Sequence, residues 1–373
     1  MGQGRIDRRR FLLYGAALVA APAVMTALPN RSARAAANYS HPGWSVGAPV
    51  YEMNPYFHAQ STRLADIVPH LDAIAGLGVG ILWIMPVYQR GGISMYCVND
   101  YTAVDNELGT LDDLKGLVNR AHALGVKVIL DFVPLHTANN HPWIQQHPGW
   151  YDRDSNGNIV HRWPDVSQLD WFNPNATLKE ELWAEMERIV TYWVRNADVD
   201  GFRWDVGLDI PEGWFIRVRE SLQSIKPMFF LGEGWPASLH PENDMSYDWD
   251  LPQRFKDIGV KGQPATILDT HLNSENASFG AITPTPYRMR YTLNHDISNP
   301  NEGEFADYGG QAATLAFEVL SMTIGPRTKP MIYSGQEVGI RTALGWTNRV
   351  TTNPNYNSSP LRAFYRRLFT LYK

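Results

Sequence analysis

The chain has a single cysteine, Cys97, among 373 residues, so no disulfide can form within it and stability has to come from packing. It is expected to be a small buried apolar side chain. Charge is sparse too, at 19%, and 33 Lys and Arg against 38 Asp and Glu leave a formal net charge of -5. Beyond the amino terminus the basic residues are scattered, which excludes the stripe of a nucleic-acid binder and suits a neutral partner. Past residue 37 no apolar run reaches the roughly 20 residues that span a bilayer. Internal repeats and low-complexity tracts are lacking as well. What is present is a composition 44% hydrophobic and 12% aromatic, with 13 Trp and 17 Tyr. That suits one large enzyme domain, with most rings in its core and some free to stack on flat ligands.

The amino terminus has its own pattern. Arg8, Arg9 and Arg10 precede an apolar stretch broken by Pro22 and Pro29, followed by small-residue sites at Ala33-Arg34-Ala35 and Ala35-Ala36-Ala37. A basic region, an apolar region and an A-x-A site in that order read as an export signal, and the arginine pair before Phe11-Leu12 marks the twin-arginine type. Residues 1–37 are therefore expected to be a cleaved twin-arginine signal peptide. The export machinery is then one partner, the mature protein is periplasmic or extracellular, and no stable membrane insertion remains after cleavage.

From residue 48 short apolar runs alternate with helical patterns, as successive βα units do. Strands are expected at Pro49–Glu52, Ile81–Pro86, Val126–Val133, Gly201–Val206, Phe229–Glu233, Met245–Trp249, Arg290–His295 and Lys329–Ser334. Eight such strands predict an α/β chain closed as a (β/α)8 TIM barrel over 48–373. Thr110 followed by Leu111-Asp112-Asp113 caps one helix, which Gly125 ends. Leu64–Leu77, Leu178–Val194 and Pro360–Lys373 repeat apolar residues at helical spacing. Residues 137–175 have little period and form a small irregular insertion after strand 3, a placement that in a barrel overlooks the substrate end. Within it Asp152–Asn158 starts like a calcium loop, but position twelve is Trp163, and a hairpin turn at Asn156-Gly157 is expected instead.

The chemistry sits at the strand ends. In GFRWDV, Arg203 and Asp205 lie two apart and so share one face of a strand, a cation beside a carboxylate. Glu233 in GEGW and Asp296 in TLNHD follow later apolar runs. A barrel brings such ends to one mouth, and carboxylates gathered there suggest glycoside chemistry. A lone acid at a strand end is more often a cap or turn residue, and Asp131, Asp100 and Asn294 are assigned to such orienting work.

DFVPLH from Asp131, GFRWDV from Gly201, GEGW from Gly232 and TLNHD from Thr292 resemble, in sequence and order, the four motif regions of the α-amylase family of glycoside hydrolases. The resemblance runs from about Val50 to Gly339. It implies that Asp205 is the nucleophile, Glu233 the general acid/base and Asp296 the transition-state stabiliser. It implies further that Arg203, His136 and His295 contact the sugar at the cleaved bond and that Tyr96 stacks on it. The function it implies is retaining cleavage of α-glucosidic bonds, α-1,4 in starch-like glucans or maltodextrins, with an α-glucan oligo- or polysaccharide as partner. A transglycosylase or isomerase of the same family would use the same acids, and a non-catalytic sugar- or partner-binding barrel would lack them.

The departures from the pattern are Leu135, where the family commonly has an asparagine ligand to calcium, and Leu208-Asp209, which replace a common Lys-His pair. No cofactor is expected to be required; a calcium ion stays open as an alternative, with its usual site expected to be altered. Family members usually continue into a β-sandwich that this sequence does not contain, so a truncated sequence is expected.

Overall fold

The computed structural model describes residues 40–57, 63–234, 236–240, 242–297, 304–340, 344 and 359–373. The signal expected over 1–37 and Trp235 lie outside them. No helix among the described residues is long and apolar enough to cross a membrane.

Eight parallel strands form one closed barrel in which each pairs with the next and the last pairs with the first. They are β1 Val50–Met53, β2 Ile81–Ile84, β3 Lys127–Phe132, β4 Gly201–Trp204, β5 Phe229–Gly232, β6 Met245–Tyr247, β7 Tyr287–Arg290 and β8 Thr328–Tyr333. Alternation along each strand separates two cores. Val50, Ile81, Trp83, Ile129, Phe229, Leu231, Met245, Tyr247, Met289 and Met331 fill the barrel, while Tyr51, Leu82, Val128, Leu130, Phe202 and Phe230 pack outward against helices. Gly201 is required by close approach: a Cβ there would lie 1.9 Å from the Phe229 carbonyl oxygen.

Seven of the eight expected strands overlap the observed ones over most of their length. The seventh stands three residues earlier, at Tyr287–Arg290 rather than Arg290–His295. Its apolar alternation is interrupted by Arg288 and Arg290, which are buried and paired with Glu275. The TLNHD segment is consequently the loop that follows the strand. The Leu64–Leu77 helix is also broken, into Leu64–Ile67 and Leu71–Ala75 joined by a tighter turn. Pro69 in that turn has no N–H to give a continuous helix.

The remaining helices follow their caps. Thr110 and Asp113 form a reciprocal capping box on the Leu111–Ala123 helix, and Gly125 with φ 76° ends it. Asn175 Oδ1 accepts from the Thr177 and Leu178 amides to start Ala176–Ala197, and Pro360–Tyr372 forms the last helix. The segment after β3 is held by a short antiparallel ladder, His136–Ala138 against Val166–Gln168. Asp152–Asn158 is a hairpin, with Arg153 bridged to Ile159 and Asp154 Oδ1 accepting from the amides of Asn156 and Asn158. Cys97 is buried and donates to Asp165.

Candidate active site

The alternation that puts Val50 and Ile129 inside the barrel puts Glu52 and Asp131 inside two residues later, and on β4 it aligns Gly201, Arg203 and Asp205. These positions are at the carboxyl ends of parallel strands, so their side chains meet at one mouth. Arg203 is the centre. Its Nη1 donates to Asp205 Oδ1 at 2.7 Å and to Asp131 Oδ1 at 2.9 Å, and its Nη2 lies 2.7 Å from Glu233 Oε2. Its Nε donates to the Tyr247 hydroxyl at 3.1 Å, and its carbon stands 5.4 Å from the Trp83 ring centroid. Only 1% of this side chain is exposed, whereas Asp205 keeps 10% and Glu233 keeps 22%, so the cation is locked while the acids reach the opening.

Asp205 and Glu233 are held side by side by the one guanidinium of Arg203. Burial pushes both carboxyls up, so Asp205 is not held low as an adjacent arginine alone would hold it. Their neighbours then divide them. Arg203 favours the ionised form of each, while the Asp205 charge pushes Glu233 further up. The chain also bends sharply here. Val206 has φ 47° and ψ 37°, a left-handed conformation that costs a β-branched residue about 1–3 kcal/mol. The return is visible: its amide donates to Glu233 Oε2 at 2.7 Å.

On the opposite wall the loop after β7 carries His295 and Asp296. Asn294 Oδ1 accepts from the amides of Asp296 and Ile297, which fixes the loop. His295 Nε2 is 3.0 Å from the Tyr96 hydroxyl and 3.3 Å from Asp296 Oδ1, and its Nδ1 is 2.5 Å from Glu52 Oε1. The Tyr96 ring stacks on His295, at 5.6 Å and 18°, and its hydroxyl donates to Asp131 at 3.0 Å. Burial raises Asp296 well above the carboxylate range, helped by the Glu233 charge, and lowers His295, so that the ring stays neutral. Asp296 Oδ2 is buried with no hydrogen-bond partner among the described residues. His136 lies further out, its Nε2 3.2 Å from the Tyr96 carbonyl oxygen and its Nδ1 buried with no partner. Burial pushes it down to about 4.

All seven residues singled out from sequence, Tyr96, His136, Arg203, Asp205, Glu233, His295 and Asp296, thus surround one opening. Asp131 stands where an orienting residue should, its carboxyl pushed up to about 7 mainly by burial. Asp100 lies on the short Val98–Val104 strand and accepts from the Thr102 amide and hydroxyl. Sequence reasoning missed Glu52, Tyr247 and Trp83. Glu52 had a signal, a lone acid on the inward register of an otherwise buried strand; the two rings look like any core aromatic. Leu135, expected to stand in place of a calcium ligand, is buried in the apolar core and its side chain offers no oxygen, so this residue does not fit a cation ligand.

A closed parallel barrel with ionisable groups collected at its carboxyl mouth is the architecture of a TIM-barrel enzyme. The chain resembles the α-amylase family of glycoside hydrolases: the family model "Alpha amylase, catalytic domain" matches residues 58–177. Alpha-amylase 3 of Dictyoglomus thermophilum is 23% identical over 86% of this chain and 72% of its own length. The maltogenic alpha-amylase of Bacillus acidopullulyticus is 27% identical over 83% of this chain, which spans 55% of that relative. Among solved structures, an alpha-amylase from Lactobacillus plantarum superposes with a TM-score of 0.76 at 25% identity, covering 88% of this chain and 80% of that one.

Proposed function

We propose that the protein is a retaining glycosidase that cleaves α-glucosidic bonds, α-1,4 in starch-like glucans or maltodextrins. The observation that carries the reading is that Asp205 and Glu233 are held by one guanidinium, Arg203 Nη1 standing 2.7 Å from Asp205 Oδ1 and Nη2 2.7 Å from Glu233 Oε2. Retaining enzymes hold their two carboxyls about 5–5.5 Å apart, and inverting ones leave about 6.5–9.5 Å for a water between them. Two carboxyls held by one guanidinium suit the shorter spacing.

In the first step Glu233 protonates the glycosidic oxygen as its bond to the anomeric carbon breaks, and an Asp205 oxygen forms a bond to that carbon. Asp296, with one oxygen unengaged, faces the positive charge that develops on the sugar. In the second step Glu233 takes a proton from water, the water oxygen bonds to the anomeric carbon, and Asp205 leaves. A sugar hydroxyl in place of water would give transfer by the same two steps. Tyr96, His136 and His295 hold the ring, and Arg203 positions Asp205 for its attack. A non-catalytic role accounts less well for three acids arranged around one cation, because their mutual repulsion has to be offset.

The reading includes export by the twin-arginine route and cleavage near residue 37, on the residue pattern of the amino terminus. It also includes activity without a calcium ion at the Leu135 position, so treatment with a chelator is expected to leave the rate within about twofold. The anomeric form of the first product tests the chemistry. Maltooligosaccharide cleavage followed by proton NMR is expected to release the α-anomer first; initial β-anomer contradicts retention.

A further inference from the structure

The turn that follows Asp205 lies against Glu233. Val206 donates its amide to that carboxylate, and a Cβ on Gly207 would stand 3.5 Å from the Glu233 amide nitrogen. The next residue, Leu208, packs on Gly234, where a Cβ would lie 3.6 Å from the Leu208 Cβ. A group that protonates the glycosidic oxygen stands on the side of the departing sugar. Leu208 and Asp209 therefore border the sugar that leaves. Leu208, 45% exposed, has no donor for a hydroxyl.

A donor arrives from elsewhere in the chain. Arg162, on the segment inserted after β3, donates through Nη1 to Asp209 Oδ2, with 39% of each side chain exposed. An exposed ion pair contributes about 0–1 kcal/mol, so stability is a weak reason for this one. The guanidinium is also held from behind, its carbon 5.0 Å from the Trp163 ring centroid, and that ring meets His136 edge-on at 5.3 Å. Arg162 is close enough for its charge to act on Asp205 and His136. A guanidinium has five N–H donors in a fixed plane, and Asp209 is the only hydrogen-bond acceptor it meets among the described residues.

We propose that Arg162, clamped by Asp209 and backed by Trp163, donates hydrogen bonds to the hydroxyls of the sugar on the leaving-group side of the cleaved bond. Asp209 balances its charge, so the ligand is a neutral hexose. The inserted segment then contributes directly to substrate choice, and Leu208 supplies an apolar edge for the same sugar. The assignment rests on the glycosidase reading above, because that reading defines which side departs.

Two substrates separate the assignment from its premise. Maltotriose leaves a sugar on the Arg162 side; α-glucosyl fluoride leaves only fluoride. The ratio of kcat/KM for maltotriose to that for the fluoride is expected to fall about tenfold in Arg162→Ala, the effect of one charged hydrogen bond of about 1.4 kcal/mol. In Arg162→Lys, which keeps the charge without the fork, the fall is expected to be partial. Fluoride release by each variant also reports that its site is folded. A ratio within twofold of the parent in Arg162→Ala contradicts the assignment alone. A parent protein that releases no fluoride contradicts the glycosidase reading and the assignment with it.

Discussion

Arg203 and Arg290 are buried to the same depth in one barrel, with 1% and 0% of their side chains exposed, but the charge around them differs. Arg203 touches Asp131, Asp205 and Glu233, with Glu52 and Asp296 close behind, so five acids share one guanidinium. Arg290 pairs with Asp248 and Glu275, and Arg288 also reaches Glu275, so cations match acids. The first cluster opens to solvent through Asp205, Glu233 and Asp296; in the second no side chain, His271 included, exceeds 8% exposure.

A balanced, closed cluster is a strut tying β6 and β7 to the Ile267–Phe279 helix. Asp248, His271 and Glu275 do offer ligand atoms within 4.8 Å of one another, but Arg290 already supplies the positive charge between the two acids. An open cluster with surplus acid is destabilising unless some carboxyls keep protons, and a proton held near neutrality is what an acid/base needs.

The comparison breaks first at Asp205. Asp205→Asn is expected to lower kcat by more than about 10³-fold with the fold retained, since no neighbour can take over as nucleophile. Near-parental turnover would remove the distinction between the clusters. The converse variant, Arg290→Met, leaves buried Asp248 without its arginine and Glu275 with Arg288 alone, and is expected to cost about 3–5 kcal/mol of stability in a urea titration. Its activity per folded molecule is expected to hold; a loss of less than about 1 kcal/mol would mean that Arg290 is not a strut.

Glu52→Gln gives a smaller effect. Glu52 is pushed well above the carboxylate range by burial and by Asp296, and it meets His295 Nδ1. The amide keeps an acceptor but cannot exchange the proton between the pair, so kcat is expected to fall about tenfold, near 1.4 kcal/mol, with a displaced pH profile. An unchanged profile contradicts that positioning role.

A separate effect is on the pH dependence of stability. Asp131 lies at about 7 in the fold against an ordinary 3.8, so its contribution is full below 3.8 and is lost as pH rises through about 7. Asp131→Asn is expected to flatten the decline in unfolding free energy over that window, and an unaltered slope contradicts the surplus-acid account.

The legible part of the molecule was the part written in local pattern. Apolar runs and turn residues marked the barrel strands, Thr110 and Gly125 marked a helix, and the strand-end acids marked the mouth. Long-range pairing is what hid the rest. Arg288 and Arg290 disguised β7 because their partner, Glu275, lies on a helix. Glu52 belongs to no motif, and only closure of β1 against β8 and β2 brings it to His295. Nothing local joins Arg162 to Asp209, which the fold pairs across 47 positions.

The central claim is that the surplus acid at Arg203 includes a nucleophile. A fluorinated α-glucosyl fluoride that slows the second step would trap the glycosyl ester, and peptide mass spectrometry would locate it. The account predicts one sugar per chain, on the peptide containing Asp205 and absent from Asp205→Asn. Label on another acid, or turnover of the reagent with no covalent adduct at any time, contradicts it.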